Sequence, residues 1–326
     1  MDGVSVILCC YNSASRLSET LGHLAKQKVP ENVNWELVLV DNNSTDNTAE
    51  VARQYWSDAG SVVPLNIIME TKPGLSFARN AGMQAAKYDI FLFCDDDNWL
   101  DPDYVGLVYA NFDQKNKLAA LGGWCDPVFE VEKPDWFDTF SGNFAVGKPI
   151  PESGYLNRPQ DYLYGAGFAI SRTAKQALDN KGFKNVLSDR KGKQLSSGGD
   201  VETIFALKIM KLPVYFDERL HFQHFMPDGR MNWDYLLRIR ESMYWSNFVL
   251  GIYIDSQRNI PFGLKGTIKK VVSSARFILR NKKRFRQMDR FKQLFLKNQL
   301  KSRSYYLSNL YFYLKTRKTI ERLKND

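Results

Sequence analysis

Short apolar runs alternate with amphipathic stretches along the first hundred residues. Residues 4–9 predict a buried strand, and residues 16–27 a helix with Leu17, Leu21 and Leu24 on one face. Strands follow at 36–40, 65–69 and 90–94, with helices at 45–56 and 75–86 between them. Strand and helix in turn at this interval predict βαβ units and a mostly parallel, doubly wound α/β sheet. Residues 120–230 are less regular, with a helix expected at 200–211 and a last strand at 214–217. From 234 onward the pattern is wholly helical. Sheets of this kind bind ligands beyond the carboxyl ends of their strands. Polar clusters stand at those ends: Tyr11 and Asn12, then Asp41 to Ser44, then Asp95, Asp96 and Asp97.

Charge divides the chain more sharply than hydropathy does. Residues 264–326 hold 19 Lys and Arg against 3 Asp and Glu, a net +16. Residues 1–263 hold 26 basic and 33 acidic residues, a net −7. An acidic body with a basic tail implies two regions with different partners. The 326 residues, 44% hydrophobic, have room for a large core and an appended module. Cys9, Cys10, Cys94 and Cys125 show no metal-ligand spacing, and the first three sit in apolar runs. Reduced core thiols in a reducing compartment are expected. Asp2 and a strand-like run stand where a signal peptide would open, and 248–254 is too short to cross a bilayer. A cytoplasmic, untranslocated chain follows as the expectation.

The acidic triplet is the sharpest chemical signal. Three adjacent carboxylates behind a buried strand repel one another unless a cation or hydrogen-bond donors meet them. Mg²⁺ and Mn²⁺ take oxygen ligands and share them with diphosphates, so a nucleotide diphosphate site would account for the run. Asp41 can accept from the imide N–H of uracil, or cap the following helix. Lys72 to Asn80 is a glycine loop opening a helix, and with Arg79 it makes an anion site. Asp200 and Glu202 stand two residues apart behind Gly198 and Gly199. A carboxylate there can take an acceptor hydroxyl's proton, or simply complement the helix dipole. His221 and His224 are expected just after the last strand; His224 is open to a metal, a phosphate or a structural role. Trp124, Trp136 and Tyr164 to Gly167 offer aromatic faces and bare backbone to a sugar ring, or core packing.

Taken in order, Cys10–Tyr11–Asn12, Asp41 to Asp46, Gly74–Leu75–Ser76 with Ala78–Arg79–Asn80, Asp95–Asp96–Asp97 and Gly199 to Glu202 resemble family-2 glycosyltransferases. His224–Phe225–Met226–Pro227 with Arg230 resembles a segment of many bacterial members of surface-polysaccharide type. The resemblance spans residues 4–248. It implies a GT-A fold, a nucleotide-sugar donor (usually UDP-linked) and Mn²⁺ or Mg²⁺. It assigns Tyr11, Asn12, Asp41 and Asn43 to the nucleoside, with Arg79 nearby and Asp96 in the donor site. Asp95 would meet the ribose, Asp97 the metal, and His224 the metal or diphosphate. Asp200 would be the catalytic base. The family's usual Glu-Asp is Gly199–Asp200 here, so Glu202 is expected to replace the missing acceptor-positioning carboxylate, beside Trp124.

These readings divide the chain into a catalytic domain, 1–230, and a basic helical extension, 231–326. The domain comprises a nucleotide-binding half, 1–100, and an acceptor half, 101–230. The expected function is inverting, metal-dependent sugar transfer to an acceptor hydroxyl, on a lipid-linked glycan used in surface polysaccharide synthesis. In the extension, Leu264, Ile268, Val271, Ala275 and Ile278 keep helical spacing beside Lys265, Lys269, Arg276 and Arg280. A basic amphipathic helix suits an anionic membrane surface, here the inner face of the cell membrane. Packing on the body, with a solvated charged face, is the alternative. Since the donor motifs precede 248, removing 264–326 is expected to leave the donor site formed. No nucleic-acid motif accompanies the charge, so no nucleic-acid partner is expected. Two rival readings are a catalytically degenerate, membrane-tethered sugar- or nucleotide-binding protein and a nucleotidyltransferase. The second needs a glycine-rich basic loop after the first strand, and residues 11–15 are not one.

Overall fold

The computed structural model describes residues 2–60, 63–115, 117–187 and 197–324. β1 (Val4–Cys10), α1 (Leu17–Ala25), β2 (Trp35–Asp41), α2 (Thr48–Asp58), β3 (Leu65–Met69), α3 (Leu75–Ala85) and β4 (Ile90–Asp95) follow the sequence pattern closely. β1 pairs in parallel with β2 and β4, and β2 with β3. β2 is buried along its whole length, as expected of a strand covered on both faces.

The irregular middle continues the same sheet. β5 (Asn98–Leu100), α4 (Tyr104–Gln114), β6 (Ala120–Phe129), α5 (Phe137–Phe140), β7 (Gly154–Tyr155), β8 (Ala169–Ser171), α6 (Arg172–Asn180), α7 (Gly199–Ile209) and β9 (Val214–Met226) come next. The strand order is β3-β2-β1-β4-β8-β6-β9-β5, with β7 on β9. β8 is antiparallel to β4 and β6, so the sheet is mixed. β9 runs nine residues beyond the expected strand end, so His221 and His224 lie within it. From Leu220 to Met226 its buried side chains alternate with partly exposed ones, the period of a strand with one covered face.

α8 (Trp233–Gln257), α9 (Leu264–Phe285), α10 (Arg290–Ser308) and α11 (Leu310–Arg322) complete the chain. Tyr306, Tyr313, Ile320 and Leu323 belong to the same buried cluster as Phe205, Phe248 and Ile252. α10 and α11 therefore share the body's core across residue 231. Removing 264–326 would expose that core, so the packing alternative for the extension holds for α10 and α11. α9 keeps Ile268, Val272 and Leu279 exposed; the Leu264 side chain lies outside the described residues.

Candidate functional site

The carboxyl ends of β1 and β4 open into a cavity of about 1140 Å³. One end is walled by Tyr11, Arg79 and Asp95 to Asp97, and its middle by Tyr164, Gly165 and Asp200. Its other end reaches α8 and α10, at Arg240, Phe295 and Arg303.

Each carboxylate of the triplet has its own cation. Asp95 Oδ1 lies 3.6 Å from Arg79 Nη2, Asp96 Oδ2 2.6 Å from Arg16 Nη2, and Asp97 Oδ2 3.0 Å from Arg230 Nη1. The Ser13 hydroxyl also donates to Asp96. Burial raises the pKa of Asp96, and the Asp97 charge adds to this against the pull of Arg16. Burial, the largest single influence, would lower the Arg230 pKa, but the charges of Asp97, Tyr235 and Asp96 and the hydrogen bond to Asp97 together outweigh it and the net shift is upward. Arginines thus relieve much of the repulsion that the sequence assigned to a metal.

β5 and β9 bring Asp97 to His224. Their antiparallel register sets Asn98 opposite His224, and Phe225 N–H donates to the Asp97 carbonyl at 2.9 Å. Asp97 Oδ1 and His224 Nε2 come within 3.6 Å, both side chains nearly buried, and His224 Nδ1 lacks a hydrogen-bond partner among the described residues. A divalent ion with oxygen and nitrogen ligands at about 2.0–2.2 Å fits between such atoms. Among the described residues no group of three His, Cys, Asp or Glu side chains converges. The chain offers part of a coordination shell, of the kind that diphosphate oxygens complete.

Asp200 and Glu202 part company although they share the first turn of α7. Asp200 lines the cavity against Gly165, where an added methyl would overlap its carboxylate. The Gly165 carbonyl accepts from Arg79 Nη2 at 3.2 Å, so one glycine touches both the arginine beside Asp95 and the candidate base. Glu202 is 0% exposed. It accepts from Val186 N–H, from Leu187 N–H at 2.8 Å and from the Tyr253 hydroxyl at 2.7 Å. The expectation that Glu202 positions an acceptor is therefore corrected: it ties the preceding loop and α8 to α7.

Trp124 is corrected as well. Its indole N–H donates to the Glu218 carbonyl at 2.9 Å and its ring packs on His221, outside the cavity lining. The preceding glycines serve strand packing, since a Cβ at Gly123 would run into the Leu220 carbonyl where the β6–β9 register shifts. Trp136 and Phe137 join an aromatic cluster with Phe144. His221 Nδ1 lies 2.9 Å from Asp101 Oδ2.

Tyr11 is exposed at the cavity mouth. Asn12, Asp41 and Asn43 lie beside the lining rather than in it. Asn12 Oδ1 accepts from Thr45 N–H at 2.8 Å, and Asp41 Oδ1 from Ser44 N–H at 2.9 Å. Arg16 and Arg240 were not singled out in the sequence. Arg16 had a faint signal, a basic residue just before α1; Arg240 had none, lying within a long mixed helix. All four cysteines are free thiols, and burial pushes Cys9 and Cys125 up to about 12, as inert core thiols require.

Comparison with known proteins agrees with this geometry. The chain is 25% identical over 178 residues to the glycosyltransferase GlyG of Streptococcus pneumoniae, covering 55% of this chain and 49% of that one. It is 27% identical over 123 residues to a poly-β-1,6-N-acetyl-D-glucosamine synthase of Staphylococcus epidermidis, covering 38% and 28%. The chain thus spans about half or less of the length of these curated relatives. Among solved structures, S. aureus TarS 1–349 in complex with UDP-GlcNAc matches at a TM-score of 0.57 and 16% identity, covering 98% of this chain and 83% of that one. The mannosyltransferase PcManGT of Pyrobaculum calidifontis, in complex with GDP-Man and Mn²⁺, matches at 0.53 and 15%, covering 94% and 87%. The fold is the doubly wound GT-A type, here with a mixed sheet. The Glycosyl transferase family 2 profile matches residues 5–173, just over half of the sequence, and the chain belongs to that family.

Proposed function

We propose that the chain transfers a sugar, with inversion, from a nucleotide-sugar donor, UDP-linked in the first instance, to an acceptor hydroxyl. The observation that carries this reading is one cavity holding the Asp95–Asp97 run and Asp200, joined through Gly165. Tyr11 would form the nucleoside end, with Asn12, Asp41 and Asn43 beside it and Asp95 and Asp96 beyond. Asp97 and His224 are the residues to hold Mn²⁺ or Mg²⁺, which would supply positive charge to the leaving diphosphate. Asp200 takes the proton of the acceptor hydroxyl as its oxygen bonds to the anomeric carbon. The bond from that carbon to the diphosphate oxygen breaks in the same displacement, leaving a glycoside, a nucleoside diphosphate and a protonated Asp200. A single displacement inverts the anomeric centre.

The UDP-GlcNAc and GDP-Man complexes of the structural neighbours support a nucleotide-sugar donor. The polysaccharide synthase relative supports a glycan as acceptor, and a lipid-linked glycan is the form that a membrane-associated extension would suit. α9 supports a peripheral place on an anionic membrane. Ile268 is 52% and Leu279 72% exposed, on the side where Lys265, Lys269, Arg276 and Arg280 are also exposed. Among the described residues no helix is long and apolar enough to cross a membrane.

A panel of nucleotide sugars tests the donor reading. With Mn²⁺, one member should raise the melting temperature and release its nucleoside diphosphate when acceptor is added. If a nucleotide sugar binds but is never turned over, a binding protein is the better account.

A further inference from the structure

The far end of the cavity is built from the helical extension, and its charge is of the opposite kind. Arg240 on α8 is 3% exposed yet lines the cavity. Its side chain makes one hydrogen bond among the described residues, from Nη1 to Asn143 Oδ1 at 2.9 Å. The guanidinium carbon lies 4.9 Å from the ring centroids of both Phe140 and Phe295, which stack on each other at 5.2 Å. Arg303 on α10 lines the same cavity and rests over the Phe277 ring at 4.1 Å. No carboxylate among the described residues pairs with either, whereas Lys270 nearby is met by Asp255 at 2.6 Å.

Aromatic faces and one amide oxygen leave much of a guanidinium's hydrogen-bonding edge unmatched. Keeping a charge this deeply buried is costly without a counter-charge. Burial pulls the Arg240 pKa down, and the Tyr244 contribution offsets this in part. Asn298 and Ser302 of α10 also line the cavity, with Asn298 Oδ1 accepting from Asn247 and the Ser302 hydroxyl donating to Asn298.

We propose that this wall binds a fixed negative charge on the acceptor, a phosphate or a carboxylate, with the Arg240 and Arg303 guanidiniums as its counter-charges. The inference rests on the transferase reading and narrows its acceptor to an anionic glycan or glycan phosphate. The extension then acts as an acceptor-recognition element as well as packing on the core.

The test uses the full chain saturated with UDP and Mn²⁺, so that added anions do not occupy the donor site. Phenyl phosphate, phenyl β-glucuronide and the neutral phenyl β-glucoside are titrated calorimetrically, and each titration is repeated without UDP. One of the anions should bind more tightly than the glucoside, and its identity tells phosphate from carboxylate. Arg240→Gln should weaken that anion by about 10–100-fold, the size of a lost buried charge contact, while Arg240→Lys retains most of the affinity. Equal binding of anion and glucoside overturns the proposal, as does unchanged anion affinity in a folded Arg240→Gln protein. If Arg240→Gln does not fold, Arg303→Gln decides: a drop in anion affinity supports the site and no change overturns it. Failure of UDP to bind, with anion affinity still dependent on Arg240, would count against the donor reading and leave the anion site standing.

Discussion

At the strand end of the cavity each triplet carboxylate faces an arginine; at the extension end two arginines face no carboxylate among the described residues. The difference shows how the two ends are prepared. Asp95 to Asp97 are too crowded to stand alone, so the fold supplies Arg79, Arg16 and Arg230, and on the proposed function a donor with its cation would enter a site already near charge balance. The extension end holds its guanidiniums among aromatic rings and amides, and an anion completes it. Between the two stands Asp200, held against Gly165.

The largest expected effect falls at that junction. Asp200→Asn keeps the shape of the side chain but cannot take a proton, so transfer should fall about 10²–10⁴-fold with UDP affinity nearly unchanged. Stopped-time product assays beside calorimetry check this; a variant with near-normal turnover would move the base elsewhere. Gly165→Ala should cost about 10²-fold, because a methyl there displaces the Asp200 carboxylate by a fraction of its own width. Wild-type rates in Gly165→Ala would show that Asp200 and the Arg79–Asp95 pair are not coupled through this contact.

Glu202→Ala probes how the extension is attached. It removes the acceptor for the Val186 and Leu187 N–H groups and the Tyr253 hydroxyl, the last two of them buried, and should lower stability by about 3 kcal/mol in denaturant unfolding. Turnover per folded molecule should stay near normal, in contrast to Asp200→Asn two residues away. A smaller effect is expected on the outer surface. Replacing Ile268 and Leu279 together by Asn should weaken binding to anionic vesicles by about tenfold at high salt, where screening has removed most of the lysine and arginine attraction. Identical flotation of variant and wild type would place any membrane contact outside α9.

The regular half of the fold was legible from periodicity because each strand there is a single apolar run closed by a polar residue. β3 begins and ends where the pattern places it, β1 and β4 run one residue further at their carboxyl ends, and β2 runs one further at both ends. β6 and β8 were not legible: one is broken by Gly122 and Gly123, and the other is three residues long. The triplet and Asp200 were legible through ordered motifs. Glu202 and Trp124 were misread because spacing along a chain does not say which side of a helix or strand faces a cavity. Glu202 follows Asp200 by two positions, about 200° around the helix, and so points into the core. Arg240 was invisible for a different reason. Its neighbours Phe140, Asn143 and Phe295 lie about 100 residues before it and 55 after, and no local pattern joins them.

The central claim is that the strand end binds a nucleoside diphosphate through a cation shared by Asp97 and His224. Titration of UDP into the wild-type protein and Asp97→Asn, each with and without Mn²⁺, tests it most directly. The account predicts that Mn²⁺ tightens UDP binding in the wild type and that Asp97→Asn loses this gain while remaining folded. Equal UDP affinity with and without Mn²⁺ in the wild type, or a gain from Mn²⁺ that survives Asp97→Asn, would contradict it.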